Sequence, residues 1–205
     1  MIKKVYKRLK AIFLGSPPDI LYALQEAKKI SFGLHSYIDN PMQIDGGEFI
    51  RIGDNSSIGR YAWLGTFLSY NRQQFSPSIT IGNNVRIGNY ACITAIDNIE
   101  IGDGCLFSEY IYISDHAHGI DAEKEISPKD QDLYSKGPVK IGKNTFVGYR
   151  ASILPGVTLG KHCVVGANSV VTKSFPDYSM VAGIPARLIK TYSLEQKKWI
   201  NVNHE

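Results

Sequence analysis

Between Ile52 and Val171 an aliphatic residue recurs at every sixth position, usually followed by glycine, and the residue four places after it is small or aliphatic. The leading positions are Ile52, Ile58, Leu64; Ile81, Ile87, Ile93; Ile101, Phe107, Ile113; Ile141, Val147, Ile153; and Leu159, Val165, Val171. Six is not a helical repeat, and a stretch rich in Gly and β-branched residues disfavours helix. Three hexads instead make an 18-residue triangular coil, each hexad giving one short strand and one corner. One coil cannot bury its own apolar face. Coils stacked about 4.8 Å apart can, because the leading residues pile into a continuous column and backbone groups pair with the next coil. The sequence therefore predicts an all-β solenoid of parallel strands. The fourth positions, including Ser56, Ala62, Leu68, Val85, Ala91, Cys105, Ala117, Cys163 and Ser169, suit interior corners. Glycine after the leading residue suits a tight corner.

The same register exposes interruptions. Lead-ins of the form aliphatic-x-aliphatic-Gly begin at Ile50, Ile79, Ile99 and Val139, so extra residues enter at one corner of the triangle. Most insertions are short. The one from Gly119 to Pro138 is long, polar and charged, and it follows two histidines, His116 and His118. A long loop leaving a regular rod serves binding or catalysis, or is a tolerated surface insertion.

Composition fits one domain with appendages: 205 residues, 43% hydrophobic and 20% charged, can bury a core. A net charge of +4, with no run of like charge and no aromatic-basic interleaving, gives no sign of a nucleic-acid partner. Cys92, Cys105 and Cys163 all read as corner positions of the repeat, and an odd count without close pairing argues for free thiols in a reducing compartment. Residues 1–14 read as a basic amphipathic helix, too short and too charged for a signal peptide or a transmembrane span, so a cytoplasmic location is expected. That helix would dock on the inner face of the membrane, or pack on the rod or a neighbouring subunit. Asp19 to Ile30 reads as a second short helix, and Leu194 to Asn201 as a C-terminal helix covering the last coil. The expected divisions are an N-terminal helical segment over 1–35, the rod over 36–176 with its inserted loop 119–138, and a C-terminal extension with capping helix over 177–205.

The run IGKNTFVGYRASILPGVTLGKHCVVGANSVVTKSFPDYSMVAGIPARLIK, preceded by ISDHAHGID, a polar loop and SKGPVKIG, resembles the hexapeptide-repeat acyltransferases. It is similar to the branch that O-acetylates sugars of O-antigens, capsules and other exopolysaccharides, and the likeness covers roughly residues 36 to 190. The resemblance implies a left-handed parallel β-helix, a homotrimer with active sites between subunits, acetyl-CoA as acyl donor, a glycan or sugar-nucleotide acceptor, and one histidine as general base. Related rods do other work, so hexads alone specify no chemistry. An N-acetyltransferase of an amino sugar nucleotide and a non-catalytic trimeric binding module are the alternatives.

Laid without gaps from Ile113, the resemblance puts His118 at the position of the base. His116, two residues earlier, shares its face in an extended segment and is the second candidate. An imidazole suits a sugar hydroxyl, a weak nucleophile whose proton must leave as oxygen attacks the thioester. Asp115 and Asp121 are candidates to orient an imidazole or to bind the acceptor. The resemblance also implies an oxyanion donor in the backbone N–H of Tyr149 after Gly148, contacts to the pantetheine arm and adenosine end from Gly166, Ala167, Thr172 and Lys173, and cations near the CoA phosphates in Arg187 and Lys190. Where relatives bind acceptor through an Asn, this chain has Gly88 with Asn89 adjacent, and where they carry a Trp it has Phe146. Trp63, Tyr110 and Tyr112 offer faces for a sugar, or for core and interface packing. His-x-His with Asp115 offers metal ligands, but only His35 and His162 remain in the rod region, so no metal is expected.

Overall fold

The computed structural model describes residues 18 to 202; the basic helix expected over 1–14 lies outside them. The chain winds as a left-handed parallel β-helix whose triangular coils give three parallel sheets. One sheet runs from Ser31–Phe32 through Ile50–Ile52, Ser78–Ile81, Asn98–Ile101 and Val139–Ile141 to Thr158–Leu159. The second starts at Tyr37–Ile38 and the third at Gln43–Asp45, and strands of successive coils pair in register, as in Ile52 with Ile81 and Ile93 with Ile113. All fifteen leading residues are buried, none more than 3% exposed. In the Ile79→Ala protein, which loses a fully buried side chain from the middle of the column, stability falls by about 2–5 kcal/mol; chemical denaturation checks it.

The rod is longer than the repeat suggested. Phe32, Ile38 and Ile44 already keep the six-residue spacing, and Ser31–Phe32 pairs with Arg51–Ile52 inside the segment expected to be helical. The helix of that segment runs from Pro18 to Ala27 and packs on Gln43–Asp45, closing the first coil with fully buried Ala23. At the other end the expected helix over Leu194 to Asn201 is absent. Ser179–Gly183, Ala186–Ser193 and Lys198–Asn201 instead extend the second sheet as an antiparallel meander. Alternation overrides helical spacing there: Tyr192 meets Trp199 edge to face at 5.4 Å, and the turn between strands passes through Lys197 at φ 50°. The open edge is thus met by strands rather than covered by a helix.

Corner glycines answer to the room that a Cβ would need. A Cβ on Gly142 would lie 2.5 Å from the backbone of Gly160 and Lys161, so the close approach of the next coil excludes a side chain. The left-handed backbone falls two residues later, on Asn55, Asn84 and Asn144 at one corner and on Tyr61, Tyr90 and Tyr110 at another. Of the fourth positions, Leu68 and Ala117 are exposed, because the chain leaves the coil at both. Cys92 is no corner residue either; it opens the strand Cys92–Ala95 and faces outward, half-buried, on the third sheet.

Candidate active site

Two insertions leave the third sheet at the same corner. The first carries the hairpin Ser69–Tyr70 with Gln73–Gln74; the second is the long loop, whose ends pair as Ala117–His118 with Leu133–Tyr134. Side-chain amides join them. Gln73 donates Nε2–H to the Leu133 carbonyl (3.0 Å) and accepts the Leu133 N–H through Oε1 (2.6 Å), while Asn71 donates to the Gln131 carbonyl (3.3 Å). Within the loop, buried Gln131 accepts the Asp121 N–H (2.8 Å) and donates to the carbonyls of Asp121 and Ile126. The long insertion is therefore a built wall rather than a slack excursion.

Between this wall and the outer face of the third sheet lies a cavity of about 250 Å³, lined by Trp63, Phe67, Tyr70, Cys92, Thr94, Tyr112, His116, Ala117, His118 and Leu133. Both sequence-predicted histidines reach it. Their settings differ. His116 is mostly buried and its Nδ1 lies 2.9 Å from Oδ1 of Asp115, which is fully buried. The Asp115 oxygens also accept the N–H groups of Ile96 and Asp97, each at 2.9 Å. A carboxylate is an acceptor only, so Nδ1 of His116 donates, and in the neutral imidazole Nε2 carries the lone pair. Ser114 Oγ accepts the His116 N–H (3.2 Å) and donates to its carbonyl (2.9 Å), and Phe67 stands edge-on to the ring at 6.0 Å. His118 is exposed, and its Nδ1 faces the Tyr70 hydroxyl at 3.2 Å.

The remaining predicted residues fall elsewhere. Asp115 cannot bind acceptor as expected, since it is sealed beneath His116. Asp121 caps the short turn Ala122–Lys124 by accepting the Glu123 N–H. Asn89 lies at the corner between the second and third sheets, where its side chain accepts the Arg60 N–H and donates to Glu109, both at 2.8 Å; that corner is not the one that carries the histidines. Gly148 and Tyr149 occupy the same corner column. A Cβ on Gly148 would meet the Ala167 nitrogen at 2.7 Å. In the same column Arg60 is capped by an Asn of the next coil, whereas the next coil beside Tyr149 carries Ala167, and the Tyr149 N–H has no acceptor among the described residues. Gly166, the glycine ahead of Ala167 in that column, would bring a Cβ within 2.9 Å of the Ala182 side chain, so the next layer crowds that position too. Thr172, Lys173 and Arg187 are exposed and Lys190 half-exposed near the last coil, and none of these three cations has a carboxylate within ion-pair distance among the described residues.

Tyr70, Phe67, Cys92 and Leu133 were missed from sequence. The signal for Tyr70 was the short insertion after Leu68, which the hexad register already sends out at the corner used by the histidine loop. Cys92 contributes bulk rather than reactivity: burial pushes its thiol up to about 11. At pH 8 iodoacetamide therefore labels the native protein about 100-fold more slowly than the denatured chain, since Cys105 and Cys163 are buried in the rod; timed alkylation with mass spectrometry checks it.

A family model described as the hexapeptide repeat of succinyl-transferase matches residues 138–173. The chain is 30% identical over 168 residues to the galactoside O-acetyltransferase of Escherichia coli (strain K12), covering 78% of this chain and 75% of that one. It is 35% identical over 126 residues to a putative lipopolysaccharide biosynthesis O-acetyl transferase, WbbJ, of the same organism, covering 59% of this chain. Among solved structures it resembles a variant of AntD, an N-acyltransferase from Bacillus cereus, in complex with dTDP and coenzyme A: TM-score 0.62, 26% identity, 83% of this chain and 90% of that one. The chain belongs to the hexapeptide-repeat acyltransferases. It spans 45% and 64% of the length of two curated relatives that it matches.

Proposed function

We propose that the protein is an acetyl-CoA-dependent O-acetyltransferase that acetylates a sugar hydroxyl of a surface glycan or its precursor. The observation that carries this reading is the Asp115–His116 pair, a buried carboxylate holding through Nδ1 an imidazole that lines the cavity. It puts His116 ahead of His118 as the base. The acceptor hydroxyl gives its proton to Nε2 as its oxygen bonds to the thioester carbonyl carbon. The resulting oxyanion takes a backbone donor, for which the unpaired Tyr149 N–H is suited. Collapse breaks the carbon–sulfur bond, and the imidazolium returns the proton to the departing thiolate. Asp115 keeps the ring in one tautomer throughout.

His116 and Tyr149 lie at different corners of one chain, which supports a homotrimer whose cleft joins His116 of one copy to the Tyr149 corner and the unpaired cations of the next. The second sheet also exposes Leu106 and Phe146 in consecutive coils, an apolar strip suited to a neighbouring copy. A hydroxyl needs a base more than an amine does, which favours O- over N-transfer. The test is thiol release from acetyl-CoA in the presence of a glycan panel, with light scattering for assembly. A hydroxylamine-labile product supports the ester, a stable one the amide, and no turnover with any acceptor removes the reading.

A further inference from the structure

The cavity also says how the sugar is presented. Trp63, Cys92 and Tyr112 are register partners on consecutive coils, so the two aromatic residues stand two strand spacings, about 9.6 Å, apart. The short Cys92 between them leaves a slot with an aromatic wall on either side. Trp63 is fixed there, its Nε1–H donated to Asp45 at 2.9 Å and Asp45 held in turn by Gln43 at 2.8 Å. Broad aromatic walls with few polar groups suit the C–H face of a pyranose.

The polar groups have one sense. The Tyr70 hydroxyl has a single proton, given to the Lys129 carbonyl at 2.5 Å. Toward His118 it is then an acceptor, so His118 Nδ1 carries the hydrogen, and in the neutral ring Nε2, like that of neutral His116, is a lone pair. As neutral rings both imidazoles thus receive O–H donors rather than offer a proton to an anionic oxygen. None of the lining residues is Lys or Arg. The adjoining segment 119–138 holds five carboxylates against three lysines, and two of those lysines already face acids, Lys129 with Asp130 and Lys124 with Asp121. A diphosphate needs donors and positive charge, and this wall supplies acceptors and net negative charge.

Building on the acetyltransferase reading, we propose that the cavity takes its acceptor as a neutral, glycosidically linked sugar ring between Trp63 and Tyr112, with His118 receiving a second hydroxyl, and not as a nucleoside-diphosphate sugar. Tyr70 is a positioning residue that sets the His118 tautomer.

The Trp199→Phe protein retains Trp63 as its one tryptophan, so its emission reports this slot. Methyl glycosides of hexoses, 6-deoxyhexoses and N-acetylhexosamines are titrated against UDP, dTDP and their sugar conjugates. A saturable change with at least one glycoside, undisturbed by millimolar UDP or dTDP, is the expected result. A saturable response to the nucleotides, or no response to any glycoside, overturns the proposal. In turnover, Tyr70→Phe raises KM for the responding glycoside about fivefold to tenfold, the loss of one hydrogen bond, and leaves kcat and the KM for acetyl-CoA unchanged; a fall in kcat instead overturns its positioning role. Absence of acetyl-CoA turnover with every acceptor would remove the enzyme reading by itself, while the Trp63 titration still decides the sugar.

Discussion

In the His116→Ala protein kcat for acetyl transfer falls by about 10²- to 10⁴-fold, the usual contribution of a positioned general base, while far-UV circular dichroism and thermal unfolding stay close to wild type. The fold survives because the ring lies at a cavity wall and outside the apolar column of the rod. His118→Ala gives a different pattern. Its imidazole faces the same space but is held by a phenol rather than a carboxylate, so its loss raises KM for the acceptor and leaves most of kcat. The paired comparison, with acceptor and acetyl-CoA varied separately, assigns base and binder. Equal collapse of kcat in both proteins would mean that the two imidazoles act as one unit, and collapse only in His118→Ala would return the base to the position that the gapless register suggested.

The rod was legible because its determinant is periodic. A residue every six positions must point inward if coils are to stack, and each of the leading residues from Ile52 to Val171 does so. The register also located the corner at which chain leaves the rod, and so placed both histidines beside a loop. It could not rank them. Residues two apart on an extended segment share a face, and the distinction between His116 and His118 comes from contacts across the fold: Asp115 turned inward onto the amides of Ile96 and Asp97, and Tyr70 brought from 48 residues away. The terminal meander escaped for the opposite reason. A short segment such as Leu194 to Asn201 carries few positions to fix a period, and pairing of Lys198–Asn201 with Ala186–Ser193 decided it. The glycines were found at the right places, but sequence marks a missing Cβ without saying whether torsion or a neighbouring strand requires it, and the close approach of the next coil supplies the reason.

Asp115→Asn separates orientation from proton transfer. Asparagine keeps the shape but has one acceptor oxygen where the carboxylate has two, and three groups now depend on it: the Ile96 N–H, the Asp97 N–H and Nδ1 of His116. If the amide oxygen stays with Ile96 and His116, the NH₂ group points its hydrogens at the Asp97 N–H, leaving that donor unsatisfied. If it turns over, the NH₂ group faces both the Ile96 N–H, which loses its acceptor, and His116, where it selects the tautomer with hydrogen on Nε2, which cannot accept the sugar proton. Both outcomes destabilise the fold by about 1–3 kcal/mol, the cost of an unpaired buried polar group. The second removes the base without removing the ring, and kcat falls toward the His116→Ala value. Denaturant unfolding reads the loss of stability common to both and kcat resolves the two, and the double replacement tests whether the residues act together: a loss in kcat no larger than that of His116→Ala alone means that Asp115 works only through the imidazole.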